Sequence, residues 1–344
     1  MHFVVKYFQW PQYSISLEYC QHLSASFFRK FPADIPKKHA VDLSHKEDDF
    51  NMSGYVLSCC STADLSKEHL EARRISYICF HYEINGVHYA DDLGVSVSFP
   101  DFYQSMEQGA ITRTSQINVD EYREYFESFL KDGMDVLHVT LSGGLSGSIN
   151  SAKLAAGLLS EKYPDRKLIF IDSLGGSSGY GLLMDKAADL RDSDIGILEL
   201  AQWIEHNKLK VQHWFFSTTL KYFVKGGRVS KTSGFLGETL GICPLLHVDA
   251  DGKLVPVEKV RSKNKVRKAI VKKMIEFAEG GTAYADKCYI SHSNCFEDAA
   301  MVAEELEATF PHLAGLVEIC NIGTVIGSHS GPGTVALFFW GKTR

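Results

Sequence analysis

The chain has 344 residues, 45% of them hydrophobic, with 36 basic and 42 acidic side chains and a formal net charge of −6. That length sustains a large core and suggests about two domains, while the acidic balance argues against a general nucleic-acid binder, which carries a basic face. No stretch reaches the ~20 apolar residues of a membrane span, MHFVVKYFQWPQYS lacks the basic start of a signal peptide, and the eight cysteines form no CxxC pair. Reduced thiols and a cytoplasmic location are the expectation.

Residues 1–51 mix aromatics with the polar stretch DIPKKHAVDLSHKEDDFN and show no sustained period; they read as an N-terminal extension, with Met52 a start in its own right. From there strands and helices alternate. YVLSCCS predicts a strand, SKEHLEARR a helix, and ISYICFHYEINGVHYADD two short strands joined through Asn85 and Gly86, a hairpin dipeptide. The helix VDEYREYFESFLKDG precedes the strand MDVLHVTLS. After the loop 141–147 a further helix runs through SINSAKLAAGLLSEKYP, with Ile149, Ala152, Ala156 and Leu159 as its core stripe. KLIFIDS (167–173) predicts a strand, followed by a Gly/Ser loop and the helix GYGLLMDKAADLRDS. This alternation implies a largely parallel sheet with helices on both faces, over 52–207.

After ILELAQWIEHNKL the texture changes, and a second domain is expected over 208–344. HWFFSTTLKYF is aromatic, LLHVDADGKLVPVEKV reads as two strands meeting at Asp251 and Gly252, and KVRKAIVKKMIEFAEG is a helix. The strand CYISHS, the helix FEDAAMVAEELEATF and the final strand TVALFFW complete an α+β pattern.

Six constellations bear on possible chemistry. LSGGLSGSIN (141–150) joins a strand to a helix, where unpaired N–H groups and the helix dipole attract anions, glycines admit a ligand, and Ser142, Ser146 and Ser148 offer hydroxyls; an ordinary capped βα turn has the same spelling. GGSSG (175–179) satisfies G-x-S-x-G with Ser177 at its centre and keeps a serine esterase in view, although the loop is more glycine-rich than a tight nucleophile elbow requires. KGGRVS puts Arg228 beyond two glycines, where its fork can meet a carboxylate or phosphate. His329 sits in the Gly/Ser stretch GSHSGPG, read as a loop, and can donate a hydrogen bond near neutral pH. Lys265, Lys268 and Lys272 line one helix face, ordinarily a solvated one. Cys288, His292 and Cys295 are close in sequence, but their apolar context argues against a metal, and none is assigned.

Taken in order, STADLS (61–66), TSQ (114–116), SGGLSGSINSA (142–152), DS (172–173), LKYFVKGGRVS (220–230) and IGSHSGPGTVALFF (326–339) resemble the DegV family of bacterial fatty-acid-binding proteins, the lipid-carrying subunits of fatty acid kinase. The resemblance spans about Gly54 to Gly341. It implies a two-domain α/β fold, a parallel-sheet N-terminal domain and an α+β C-terminal domain, with a long-chain fatty acid enclosed between them. It also implies a partner kinase that uses ATP to phosphorylate the bound carboxylate for phospholipid synthesis, no cofactor, and no catalysis by this chain.

Carried over by position, Thr114 or Ser115, Ser146 with Gly147, Arg228 and His329 would hold the carboxylate. Phe235, Leu236, Leu240, Ile242 and Leu245 are the candidate wall for the acyl tail. Three departures stand out: Cys60 where the family usually has aspartate, Ile117 where proline commonly follows TSQ, and Ser148 in place of threonine. A small-anion binder using the same loop is a further alternative.

Overall fold

YVLSCC is apolar or small throughout and forms β1 (Tyr55–Cys60), buried along its whole length. In the computed structural model, which describes residues 54–230 and 241–344, β1 lies inside a parallel sheet, as a strand with two buried faces must. Its neighbours are β2 (Ser76–Ile78), β6 (Asp135–Thr140) and β7 (Leu168–Asp172), in the order β2-β1-β6-β7. The expected parallel sheet is therefore present. Helices α1 (Lys67–Ala72), α3 (Val119–Lys131) and α4 (Ser148–Lys162) follow β1, β5 and β6. Asn118 and Glu121 form a reciprocal capping box that starts α3. In α4, Ile149, Ala152 and Leu159 are buried as the spacing predicts, and Ala155 takes the place expected of Ala156.

A small antiparallel sheet is inserted after β2. Its strands β3 (His81–Ile84) and β4 (Val87–Ala90) turn at Asn85 and Gly86, both with positive φ (50° and 89°), the geometry that favours Asn-Gly there. On its other edge β3 pairs with β5 (Thr112–Ser115), placing Thr114 opposite Tyr82. Between β4 and β5 lies α2 (Phe99–Glu107), capped by Ser98.

The six strands after Asn207 form a mixed sheet in the order β10-β9-β8-β13-β11-β12: β8 (Val211–Ser217), β9 (Ile242–Val248), β10 (Leu254–Arg261), β11 (Cys288–His292), β12 (Val317–Asn321) and β13 (Thr334–Trp340). Helices α8 (Lys263–Phe277) and α9 (Phe296–Thr309) flank it, and Val266, Ile270 and Met274 are the buried stripe of α8, opposite Lys265, Lys268 and Lys272.

Helix α5 (Ser177–Arg191) ties the sheets together. It is buried on every side, which explains why its sequence shows no amphipathic period. Its Tyr180 hydroxyl accepts from the Cys60 N–H (2.9 Å) and donates to the Val139 carbonyl, both in the parallel sheet. Toward the mixed sheet, Ser178 Oγ accepts from Ser291 Oγ at 2.7 Å. The remaining helices are α6 (Ile197–Asn207), α7 (Lys221–Lys225) and α10 (Thr324–Ser330). The last corrects the expected loop: His329 lies in the final turn of a helix that leads from β12 toward β13. Gly327 sits where a Cβ would lie 2.4 Å from the Tyr103 hydroxyl, so close packing against α2, rather than a turn, calls for glycine.

Candidate functional site

The loop after β6 is held open by its neighbours. Asp172 accepts from the N–H groups of Gly143 (3.0 and 3.1 Å) and Leu174 (2.9 Å), and a Cβ on Gly143 would come within 2.6 Å of that carboxylate. The chain therefore needs glycine there. Ser146 Oγ accepts from the Ser148 N–H at 3.3 Å, at the start of α4, whose N-terminal Gly147 offers no side-chain cap. Ser146 thus stands half-buried beside a helix N-terminus.

Arg228 reaches this loop from the turn after α7. Its Nε donates to the Leu145 carbonyl (3.1 Å), and its Nη1 donates to the Gly226 carbonyl (2.6 Å) and to His329 Nδ1 (3.4 Å). Burial, and then the Arg228 charge, hold His329 down to about 4, so the ring is neutral at pH 7. An arginine N–H can only donate, which assigns Nδ1 as acceptor and leaves the proton on Nε2. Nε2 therefore donates to Thr114 Oγ1 at 2.7 Å. The Thr114 hydroxyl hydrogen is left to point elsewhere, and a chain of donors runs from Arg228 through His329 to Thr114.

These groups line one cavity of about 290 Å³. Thr114, Ser115, Ser146, Gly147, Arg228 and His329, six residues from four separated segments, all contribute to its wall. The rest of the wall is mainly apolar, including Phe80, Leu141, Phe215, Val325, Ala336 and Phe338. Phe235, Leu236 and Leu240 lie outside the described residues. Ile242 and Leu245 are not in the described wall; β9 contributes Val248 instead. Alternation explains Leu245, whose side chain leaves the opposite face of the strand from Val248 and is wholly buried in the core. Ile242 lies at the other end of the strand. The aromatic run HWFFS carried the missed signal: as β8 it gives His213 and Phe215 to the cavity.

Ser177 also lines the cavity, in a left-handed conformation (φ 54°), but its Oγ donates to Asp64 Oδ2 at 2.6 Å rather than to an imidazole. Burial raises the Asp64 carboxyl well above the usual range. A serine nucleophile needs a base placed to take its proton, and the hydroxyl of Ser177 is committed to a buried carboxyl with no imidazole on it. Turnover of a short-chain chromogenic ester is expected to be at background for the protein and for Ser177→Ala alike; turnover abolished by the substitution would restore the esterase reading.

Cys60 is fully buried, with Sγ 3.6 Å from both the Tyr122 hydroxyl and His138 Nε2, and burial pushes its thiol up to about 11. The position is neutral. The nearby carboxyl is that of Asp91, which accepts from Ser61 Oγ (2.8 Å) and Thr324 Oγ1 (2.6 Å) and so pins the start of α10. Among the described residues no group of three or more His, Cys, Asp or Glu is arranged to hold a metal, and no helix is long and apolar enough to cross a membrane.

The neutral histidines make the fold acid-sensitive. Burial lowers His138 to about 3, beside His329 at about 4, whereas an unfolded chain protonates both near 6.5. This part of the stability is complete above pH 6.5 and is lost as pH falls toward 4, because the unfolded state binds the extra protons. The raised carboxyls of Asp64 and Asp91 act in the opposite sense and offset some of the loss. In urea unfolding, the loss between pH 7 and pH 5 should shrink by about 2 kcal/mol in His329→Gln; an unchanged loss would mean that His329 is charged in the native protein.

Thr114→Val tests the donor chain. It keeps the shape and removes the terminal hydroxyl, so affinity for a carboxylate ligand should fall about tenfold, near 1.5 kcal/mol, and the melting temperature should fall as well because the His329 Nε2–H loses its acceptor. Equal affinity in titration calorimetry would place the headgroup elsewhere.

The family model described as "Uncharacterised protein, DegV family" matches residues 60–342. A DegV domain-containing protein of Clostridium perfringens is 33% identical over 293 residues, covering 85% of this chain and 99% of that protein. The crystal structure of DegV, a fatty acid binding protein from Bacillus subtilis, superposes with a TM-score of 0.71 at 26% identity, covering 84% of this chain and 100% of that one. The Streptococcus pneumoniae fatty acid kinase B3 protein loaded with linoleic acid shares the fold, with a TM-score of 0.71 at 22% identity over 84% of this chain and 99% of that one.

Proposed function

This chain belongs to the DegV family, and from that premise we propose that it binds a long-chain fatty acid and presents the carboxylate to a partner ATP-dependent kinase without catalysing a reaction itself. The observation that carries the reading is the polarity of the cavity: the donors Thr114, Ser115, Ser146, Arg228 and His329 share a mainly apolar enclosure. A carboxylate accepts from hydroxyls and guanidinium, while each buried methylene contributes roughly 0.8 kcal/mol. The ligand that meets both demands has an anionic head and a long hydrocarbon tail. A small anion would leave the apolar wall unused. The kinase step rests on the likeness to the S. pneumoniae protein, and it implies that the protein works inside the cell. A domain boundary near residue 208 accords with the parallel strands all preceding Asn207 and the mixed-sheet strands all following it.

Native mass spectrometry of freshly purified protein tests the reading, with release and identification of any bound small molecule. One fatty acid per chain is expected. Protein that is empty and ignores added fatty acids would overturn it.

A further inference from the structure

The polar end of the cavity has an inner and an outer part. Thr114, Arg228 and His329, joined by the bonds described above, are half-buried, whereas Ser115, Gln116 and Gly147 on the same wall are exposed. Gln116 lies over Gly147, where a Cβ would come within 2.8 Å of its Oε1, and its Nε2 donates to Ser151 Oγ at 3.4 Å. The end of β5 and the first turn of α4 therefore frame the opening to solvent. A carboxylate held by the inner cluster has its outer side toward this opening, and a phosphoryl group delivered from solvent comes to rest there.

That transfer moves charge. A carboxylate oxygen attacks the terminal phosphorus of ATP, the C–O–P link forms, the bond to the bridging oxygen breaks, and ADP leaves with that oxygen. The negative charge of the carboxylate is replaced by roughly two on a phosphate one group further out. Arg228 cannot follow it, because its Nε and Nη1 are tied to the carbonyls of Leu145 and Gly226. A cation placed to do so lies on β5. Side chains alternate along a strand, so Arg113 shares a face with Ser115, about 7 Å away, and not with Thr114. An arginine side chain spans that gap. Arg113 is exposed, and no carboxylate among the described residues pairs with it. Glu83 lies opposite it on β3 without forming an ion pair. Glu121, which reaches the same face, is occupied by His81 Nε2 (2.6 Å) and the Asn118 N–H (2.8 Å).

We infer that Arg113 is the counter-ion of the transferred phosphoryl group, and that with Gln116 and the start of α4 it forms a subsite for the phosphate of an acyl phosphate, just outside the cluster that holds the carboxylate. Substrate and product are then distinguished by different cations: Arg228 holds the acid, and Arg113 engages only once phosphate is in place. The guanidinium meets a phosphate through paired N–H donors. The inference rests on the fatty-acid and kinase reading above.

The test is titration of delipidated full-length protein with oleate and with the phosphonate analogue of oleoyl phosphate in which a methylene replaces the bridging oxygen, so that no transfer occurs. Arg113→Ala is expected to weaken the analogue about tenfold or more and to leave oleate within about twofold, which also shows that the variant is folded. Arg113→Lys should restore part of the loss, because it returns the charge without the fork. Equal loss for both ligands, or no loss for the analogue, overturns the inference and leaves the fatty-acid reading intact. A loss of the analogue in Lys225→Ala but not in Arg113→Ala also overturns it, since Lys225 is the exposed lysine beside the turn that carries Arg228. If the unaltered protein binds oleate and not the analogue, the inference falls alone. If it binds neither, the fatty-acid reading falls, and this inference with it.

Discussion

Arg228→Ala is expected to lower affinity for a long-chain fatty acid by about 10- to 150-fold and to leave the purified protein largely empty. Three of the guanidinium's bonds are fixed by the protein, to Leu145, Gly226 and His329, and these aim its charge at the polar end of the cavity. Burial lowers the guanidinium somewhat from 12.5, yet it stays charged at pH 7. A hydrogen bond to a charged group is worth roughly 1.5–3 kcal/mol, which sets the range. A second effect adds to it. Without an N–H donor at Nδ1, His329 can carry its proton on either nitrogen, so Thr114 no longer has a fixed free hydrogen. Arg228→Lys should recover only part of the loss, because an ammonium lacks the fork that spans Leu145, Gly226 and His329. Dissociation constants by calorimetry decide this, and an Arg228→Ala protein that keeps its fatty acid would show that the head lies elsewhere. On the kinase reading proposed above, the fatty acid carried by the loaded variant should also be phosphorylated poorly by the kinase.

Ala336→Phe attacks the tail. Ala336 faces Phe215 across the ladder, midway between Thr334 and Phe338, and its methyl is part of the cavity wall. A phenyl ring there occupies space that the tail would fill. Excluding about four methylenes at roughly 0.8 kcal/mol each amounts to ~3 kcal/mol, or about 200-fold in affinity for an eighteen-carbon acid. Hexanoate, too short to reach the ring, should bind as before. The ligand-free melting temperature should hold, since the ring enters an existing void instead of overpacking a filled core. Unchanged affinity for the long acid would mean that the chain does not run past Ala336.

The two ends of the site were unequally legible. Ser146, Arg228 and His329 sit in short, glycine-marked segments whose spelling signals a backbone that a ligand can approach, and all three reach the cavity. The tail wall left no such mark. Ile242 and Leu245 are as apolar as Val248, and only the register of β9 against β8 and β10 decides which side chains meet the cavity and which meet the core. His213 lies in a run whose aromatic character masked a strand, and a histidine flanked by Gln and Trp gives no sign of facing a helix N-terminus. His329 was expected on a loop because glycines flank it. The structure places it on α10, where Gly327 is needed for contact with Tyr103.

By itself the sequence determined the alternation of strands and helices in its first half, the hairpin at Asn85 and Gly86, the capping box of α3, and the polar residues available to a headgroup, because each depends on neighbours within a few positions of the chain. Only the tertiary structure decided that Thr114, Ser146, Arg228 and His329 form one donor cluster, that Ser177 faces Asp64 instead of a histidine, and that His213 and Phe215 line the cavity. Those are contacts between segments as much as 215 residues apart, as between Thr114 and His329, and they are set by the packing of α5 between two sheets and by strand register, neither of which has a local signature in the chain.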